Sequence, residues 1–167
     1  MKDLKTIIES NLNKIHTQPK WDKAYFLPIK QSSTSQKGDF GQSVFVDILN
    51  ALDYTALIEN NGIGDYDVLI RQLPRDIRVE VKTATIDVGG SFQFNSIKKG
   101  NYLYDYVFCL GISYNELYYD FISKEFVEKT LTTNMTTEGG GYKYTRRLDR
   151  TLTLENMMET LNSIYAK

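Results

Sequence analysis

The chain has 167 residues, of which 41% are hydrophobic and 25% charged, with a formal net charge of −1. These values are typical of a globular domain, and they require any nucleic-acid binding to come from a local basic patch. With His16 as the single histidine and Cys109 as the single cysteine, a Cys/His zinc site and an intrachain disulfide are excluded. We therefore expect a reducing cytoplasm, and any catalytic acids and bases must be carboxylates and lysines.

The first half of the chain predicts two helices followed by three strands. An amphipathic helix is expected over 3–15, and a polar loop over 31–38. Asp39 is predicted to begin the second helix, because Asp39 and Gln42 fit a capping box and an apolar residue recurs every fourth position from Phe40. Strands are predicted at 54–59, 67–73 and 77–85, with a turn at "NNGIG" after the first and another at Pro74.

The second half predicts two more strands and two more helices. The strongly apolar stretch 104–114 indicates a strand that is buried on both faces at the sheet centre, and 116–123 is its expected neighbour. A short helix at 124–131, a glycine-rich loop or hairpin at 136–150 and a helix from Thr153 to Tyr165 follow. The order predicts one α/β (α+β) domain in which helices flank a mixed sheet.

One predicted strand, "IRVEVKTAT", places an acid and a lysine on the same face. Glu80 and Lys82 project to one side of the strand, and Val81 points to the other. If the preceding strand pairs antiparallel across the turn, Asp67 lies close to Glu80. Two carboxylates and the main-chain carbonyl of Val81 suit Mg²⁺, and a lysine beside them can orient water. The alternative is an ordinary solvated Glu-x-Lys face.

The strings "DYDVLI" and "RVEVKTAT" resemble the core motif of the PD-(D/E)xK nuclease superfamily, in its type II restriction endonuclease-like branch. The resemblance spans about residues 38–122, with Asp67 as the first acid and Glu80 and Lys82 as the E-x-K. Tyr66 stands where the motif has proline, and Asp65 competes with Asp67, which we prefer because the apolar run follows it directly. The resemblance implies a restriction-endonuclease-like fold and a Mg²⁺-dependent DNA phosphodiesterase, with Mn²⁺ able to substitute.

The helix that precedes the first acid departs from the family. That family often carries a glutamate in this helix, whereas this chain has Gln42. The departure could weaken a second metal position, or Gln42 could serve only to close the predicted capping box with Asp39.

Two further stretches could hold DNA. "SFQFNSIKKGNYLYDYVFCLGIS" resembles a segment of type II restriction endonuclease-like proteins, which implies that Gln93 and Asn95 face the cleft and that Lys98 and Lys99 meet phosphates. The alternative for its two phenylalanines is core packing. In the stretch 139–150 the basic residues could neutralise phosphates, or the stretch could be a surface hairpin. These basic residues are Lys143, Arg146, Arg147 and Arg150.

The length indicates a single domain over 1–167, and the resemblance implies that it is a nuclease domain, with an N-terminal helical part at 1–37, a catalytic core at 38–122 and a C-terminal basic loop and helix at 123–167. A lone catalytic domain cuts one strand at a time. Cleavage of double-stranded DNA therefore implies a homodimer or a larger DNA-recognition subunit. Two other functions remain open, namely a structure-selective nuclease, such as a junction resolvase or repair nuclease, and a non-catalytic interaction module.

Overall fold

The computed structural model describes residues 20–59, 66–131 and 141–166. The predicted helix at 3–15, the predicted turn "NNGIG" and Asp65 lie outside these ranges. Within them, no helix is long and apolar enough to cross a membrane. The helices and strands of the described residues are, in chain order, α1 (Leu27–Gln31), α2 (Thr34–Ala51), β1 (Thr55–Ile58), β2 (Val68–Arg71), β3 (Ile77–Thr85), β4 (Phe92–Ile97), β5 (Tyr106–Ile112), β6 (Leu117–Ser123), α3 (Lys124–Thr130), β7 (Tyr142–Arg146) and α4 (Leu154–Tyr165).

Five strands form one mixed sheet in the order β1-β2-β3-β5-β6. β3 runs antiparallel to β2 and parallel to β5, and β6 returns antiparallel to β5. The predicted strand at 77–85 coincides with β3, and the predicted pairing of the last two strands of this sheet is confirmed. The predicted α+β class, a mixed sheet flanked by helices, is also confirmed.

The central strand β3 divides the core in two. Val79 and Val81 pack with Phe45 and Leu49 of α2, as the burial of the valines against a helix predicts. The opposite face of the sheet carries Glu80 and Lys82, and next to them a second apolar cluster fills the space above β5 and β6. β5 is buried over nearly its whole length because it lies inside the sheet and both of its faces are covered.

β4 and β7 form a separate two-stranded antiparallel sheet, which we call the ribbon. Its inward side chains, Phe92, Phe94, Ile97 and Tyr144, are buried in the second apolar cluster. The core packing considered for the two phenylalanines is therefore confirmed. A loop or hairpin is predicted for 136–150. Within this stretch, residues 142–146 form the strand β7, which pairs with β4 instead of with a strand next to it in sequence. Residues 136–140 lie outside the described ranges.

Helix α2 begins five residues before the predicted start at Asp39, so the predicted polar loop at 31–38 is wrong. Its N-cap is Ser33, whose hydroxyl accepts from the Gln36 main-chain N–H at 3.2 Å while the Gln36 side chain accepts from the Ser33 N–H at 3.0 Å. Asp39 and Gln42 are therefore interior helical residues and form no capping box. Ser-x-x-Gln is itself a capping box, but its polar setting resembles a loop.

α2 approaches β3 closely at Gly41. A Cβ atom built on Gly41 would lie 1.9 Å from Oγ1 and 3.2 Å from Cβ of Thr83. The Thr83 hydroxyl is buried and has no hydrogen-bond partner among the described residues. Only a residue without a side chain fits here, so glycine sets the distance between the helix and the central strand.

Candidate active site

Asp67 lies at the start of β2, beside Val81 and Glu80 of β3. The register pairs Val68 with Val79, which places Asp67 across from Glu80 and on the same side of the sheet. The main-chain N–H of Val81 donates to Asp67 Oδ2 at 2.7 Å. This bond fixes the carboxylate against the strand that carries the second acid, and it leaves Oδ1 for another partner.

Glu80 is a buried carboxylate in contact with a lysine. Only 7% of the residue is exposed, and Lys82 Nζ lies 2.5 Å from its Oε1. Loss of solvation on burial raises the pKa of Glu80, while Lys82 opposes this and the charge of Asp67 raises the pKa further. Two carboxylates and one ammonium are therefore held together in a site with little water.

The chemistry of these side chains suits a divalent cation. The buried Glu80 carboxylate is disfavoured in its charged form, and a second positive charge besides Lys82 would stabilise it together with Asp67. Carboxylate oxygens and a main-chain carbonyl, such as that of Val81, are the hard ligands that Mg²⁺ prefers. Among residues 20–59, 66–131 and 141–166, no three or more His, Cys, Asp or Glu side chains cluster as a metal site.

A second lysine acts on the same site. The charge of Lys98, which follows β4, lowers the pKa of Glu80, and its Nζ lies 4.9 Å from the ring centroid of Tyr102. The hydroxyl of the buried Tyr104 donates to the main-chain carbonyl of Lys98, and burial raises the pKa of this tyrosine. Sequence reasoning missed Tyr104, because an aromatic residue at the start of an apolar run reads as core.

Helix α3 contacts the loop from Lys98 to Tyr104 through two hydrogen bonds. Lys124 Nζ donates to the Tyr102 carbonyl at 2.5 Å, and the Gly100 N–H donates to Glu128 Oε1 at 2.7 Å. The loop from Lys98 to Tyr104 therefore has several fixed main-chain positions, which place the Lys98 side chain near Glu80.

Gln42 does not join the carboxylates in a hydrogen-bonded cluster. It follows Gly41, whose neighbours Thr83 and Val81 lie on the face of β3 opposite Glu80. The side chain is half-buried, and within the described residues no hydrogen bond connects it to Asp67 or Glu80. The capping explanation for Gln42 is wrong, since α2 begins at Thr34.

Four of the predicted DNA-contacting side chains lie on or beside the ribbon. Gln93 and Asn95 are exposed on β4, and Lys143 is half-buried on β7. Lys99 Nζ lies 4.8 Å from the ring centroid of Tyr142.

The three arginines predicted to bind DNA are divided between two places. Arg147 is exposed and donates to the Gly89 carbonyl at 3.1 Å. Arg146 and Arg150 line a groove of about 620 Å³ along β6, together with Asp120 and Glu159. There Arg150 pairs with Glu159 at 3.0 Å and donates to the carbonyl of Asn156.

The fold is similar to that of a bacterial homing endonuclease, I-Ssp6803I, with a TM-score of 0.52 and 13% sequence identity. The matched region covers 78% of this chain and 92% of that chain. At this identity the likeness shows a shared endonuclease fold. No protein-family model and no curated protein matches the sequence.

Proposed function

We propose that the chain is a Mg²⁺-dependent endodeoxyribonuclease of the PD-(D/E)xK superfamily, either a type II restriction endonuclease or the catalytic subunit of one. The observation that carries the proposal is the juxtaposition of Asp67 and Glu80 on neighbouring strands, with Lys82 in contact with Glu80. The likeness of the fold to a homing endonuclease supports a nuclease of this kind.

In this proposal, Asp67, Glu80 and the Val81 carbonyl would hold the metal ion. Bound there, Mg²⁺ would supply Lewis-acid polarisation of the phosphate and a lowered pKa of bound water. In the hydrolysis, the oxygen of water would form a bond to phosphorus and release one proton to solvent, while one phosphorus–oxygen bond of the backbone breaks and the leaving oxygen takes up a proton from solvent. Lys82 Nζ, kept in place by Glu80 Oε1 at 2.5 Å, would orient the attacking water or stabilise charge on the phosphate.

The surroundings of the site would favour a bound phosphodiester. Lys98 adds a second positive charge that acts on Glu80, and it would neutralise a phosphate oxygen. Glu80 and Lys82 are mostly shielded from solvent, with side chains 10% and 20% exposed, so their charges act through little intervening water. Gln42 has no role assigned by its contacts, and a contribution to a second metal position remains a proposal.

The partner of the reaction would be double-stranded DNA. One copy of the site would cut one strand, so we propose that the active form is a homodimer or a complex with a larger recognition subunit. Light scattering after size-exclusion chromatography, with and without DNA, tests the homodimer. A monomer under both conditions would contradict it.

The decisive experiment is cleavage of plasmid and phage DNA in Mg²⁺, Mn²⁺ or EDTA. Wild type is compared with Glu80→Gln and Lys82→Met, and we expect each variant to lose about 10²–10⁴-fold in rate. The matched control is Glu125→Gln, because Glu125 also contacts a lysine, Lys129, at 2.5 Å but on the exposed surface of α3. This variant should keep the wild-type rate.

The outcomes separate the candidate functions. Discrete fragments that require metal and both site residues would support a restriction-type nuclease. Preferential cleavage of a four-way junction over linear duplex would replace it with a structure-selective nuclease. If neither substrate is cut and Mn²⁺ binding is the same in wild type and Glu80→Gln, the nuclease proposal fails and an interaction module becomes the better description.

A further inference from the structure

We propose that the ribbon enters the major groove of duplex DNA, where β4 reads base edges and β7 holds the phosphates. This inference rests on the proposed function and names its substrate class, a duplex with a defined base sequence. A two-stranded antiparallel ribbon fits the width of the major groove, and only that groove distinguishes all four base pairs.

The two faces of the ribbon differ sharply in chemistry. The inward face is apolar, and Phe92, Phe94 and Ile97 are each at most 1% exposed. The alternating residues Gln93 and Asn95 are exposed on the other face. The inward face anchors the ribbon to the sheet, so the outward face is presented on a rigid support instead of a free loop.

A bulge in β4 enlarges the outward polar set. The pairing of β4 with β7 shifts register between Phe94 and Ile97, and Ser96 adopts a φ of 59°. Asn95 and Ser96 are consequently both exposed, although they are consecutive. Gly141 makes the bulge possible, because a Cβ atom there would lie 2.7 Å from Ser96 Cα. Bulges of this kind redirect side chains.

The exposed side chains of β4 have the chemistry of base recognition. Gln93, Asn95 and Ser96 are uncharged and carry both donors and acceptors. Glutamine and asparagine amides can bind an adenine edge with two hydrogen bonds, and serine can bind several bases. Gln93 Nε2 is 3.5 Å from Asp87 Oδ2, at the limit of hydrogen bonding, so DNA can displace this contact at small cost.

The outward side chains of β7 have a different chemistry. Lys143 and Thr145 alternate with the inward Tyr142 and Tyr144, and the exposed Arg147 follows directly after the end of β7. Gln93 faces Thr145 across the ribbon, so the uncharged strand and the basic strand lie side by side. Arginine and lysine contacts to phosphates orient a protein on DNA without reading its sequence.

The ribbon is also adjacent to the carboxylate site. β4 follows β3 after a short turn, in which the Asp87 side chain accepts from the main-chain N–H groups of Gly89 and Ser91. At its other end β4 leads directly into Lys98, whose charge acts on Glu80. A duplex that contacts the outward face would therefore have its backbone within reach of the proposed cleavage site.

The test selects binding sites from a library of randomised DNA duplexes in Mg²⁺. The selection uses Lys82→Met, so that cleavage does not consume the DNA, and then adds Gln93→Ala, Asn95→Ala or Lys143→Met. We expect a consensus sequence whose preference at one position falls by about 5- to 150-fold for each amide variant. Gln72→Ala, an exposed glutamine at the β2–β3 turn, is the matched control and should leave the consensus unchanged.

Lys143→Met should behave differently from the amide variants. It is expected to weaken all sequences alike and to reduce the slope of log affinity against log salt by about 0.9. An unchanged consensus in both amide variants would overturn the inference, as would cleavage by wild type with no site preference. If a consensus is bound through Gln93 and Asn95 but wild type never cleaves DNA, the ribbon inference stands and the nuclease proposal fails. If neither binding nor cleavage of duplex DNA occurs, both are refuted.

Discussion

Replacing Gly41 with alanine is expected to destabilise the protein relative to the same replacement at Gly38, one turn earlier in α2. A Cβ atom on Gly41 would lie 1.9 Å from Thr83 Oγ1, whereas one on Gly38 would meet nothing within 4 Å. The two variants share the chemistry and the helix, so their difference isolates the contact between α2 and the central strand.

The magnitude follows from two opposing terms. In a helix interior alanine is favoured over glycine by about 1 kcal/mol, and this gain applies at both positions. At Gly41 the contact must lengthen from 1.9 Å to the ordinary 3.4 Å, so the Thr83 hydroxyl and the helix must together move apart by 1.5 Å. Overpacking of this kind costs about 1–3 kcal/mol. Gly38→Ala should therefore gain up to about 1 kcal/mol, and Gly41→Ala should lie about 1–3 kcal/mol below it.

The assay is urea unfolding at 25 °C, followed by far-ultraviolet circular dichroism and by the fluorescence of the buried Trp21. Thr83→Ala completes the test, because it removes the hydroxyl that Gly41→Ala would meet and that has no hydrogen-bond partner among the described residues. In the double variant most of the overpacking cost should disappear.

Two results would contradict this reasoning. If Gly41→Ala stabilises the protein as much as Gly38→Ala, the helix does not press on Thr83. If Thr83→Ala leaves the cost of Gly41→Ala unchanged, the cost arises elsewhere along the helix.

Three further predictions concern the site and the ribbon. The stability of wild type should fall as the pH rises above 4.5, because burial raises the pKa of Glu80 and the folded protein therefore holds this proton more tightly than the unfolded chain does. Glu80→Gln should remove this fall. Urea unfolding of both proteins at several pH values measures the difference. A difference that does not change with pH would contradict this. Lys98→Met should reduce the salt slope of DNA binding by about 0.9, while Lys98→Arg keeps it; equal slopes in both variants would exclude a phosphate contact. Tyr144→Phe removes the 2.5 Å hydrogen bond to Asp120 and should lower the free energy of unfolding in urea by about 1–3 kcal/mol. Amide exchange in the ribbon should become faster. Unchanged exchange would show that this hydrogen bond does not hold the ribbon on the sheet.

The sequence predicts the central strand and the placement of Asp67, Glu80 and Lys82 beside one another well, because the information is local. In β3, valines alternate with polar residues, so the period of two assigns Glu80 and Lys82 to one face without knowledge of the neighbouring strands. The short turn at Pro74 predicts that β3 pairs antiparallel with β2, and this pairing brings Asp67 close to Glu80. Residues that are close in sequence or share a strand are placed correctly for this reason.

Features that depend on distant partners could not be predicted in the same way. β7 pairs with β4, but the sequence of neither strand predicts its pairing partner, and the glycines before β7 favour a loop. The hydrogen bond from Tyr104 to Lys98 depends on a loop conformation that helix α3 holds. The start of α2 was missed for another reason: apolar periodicity begins only at Phe40, where the helix first reaches the core, although its first turn is already capped by Ser33.

The burial of Cys109 makes its thiol a reporter of local opening in the folded protein. The thiol lies inside β5 and is inaccessible to solvent, and burial raises its pKa well above the ordinary value. A thiol reagent can therefore modify the chain only after the second apolar cluster opens above Cys109, on the sheet face that it shares with its cross-strand neighbours Lys82 and Asp120. Since the sequence has one cysteine, each molecule is labelled once, and the labelling rate reports how often this cluster opens beside the site.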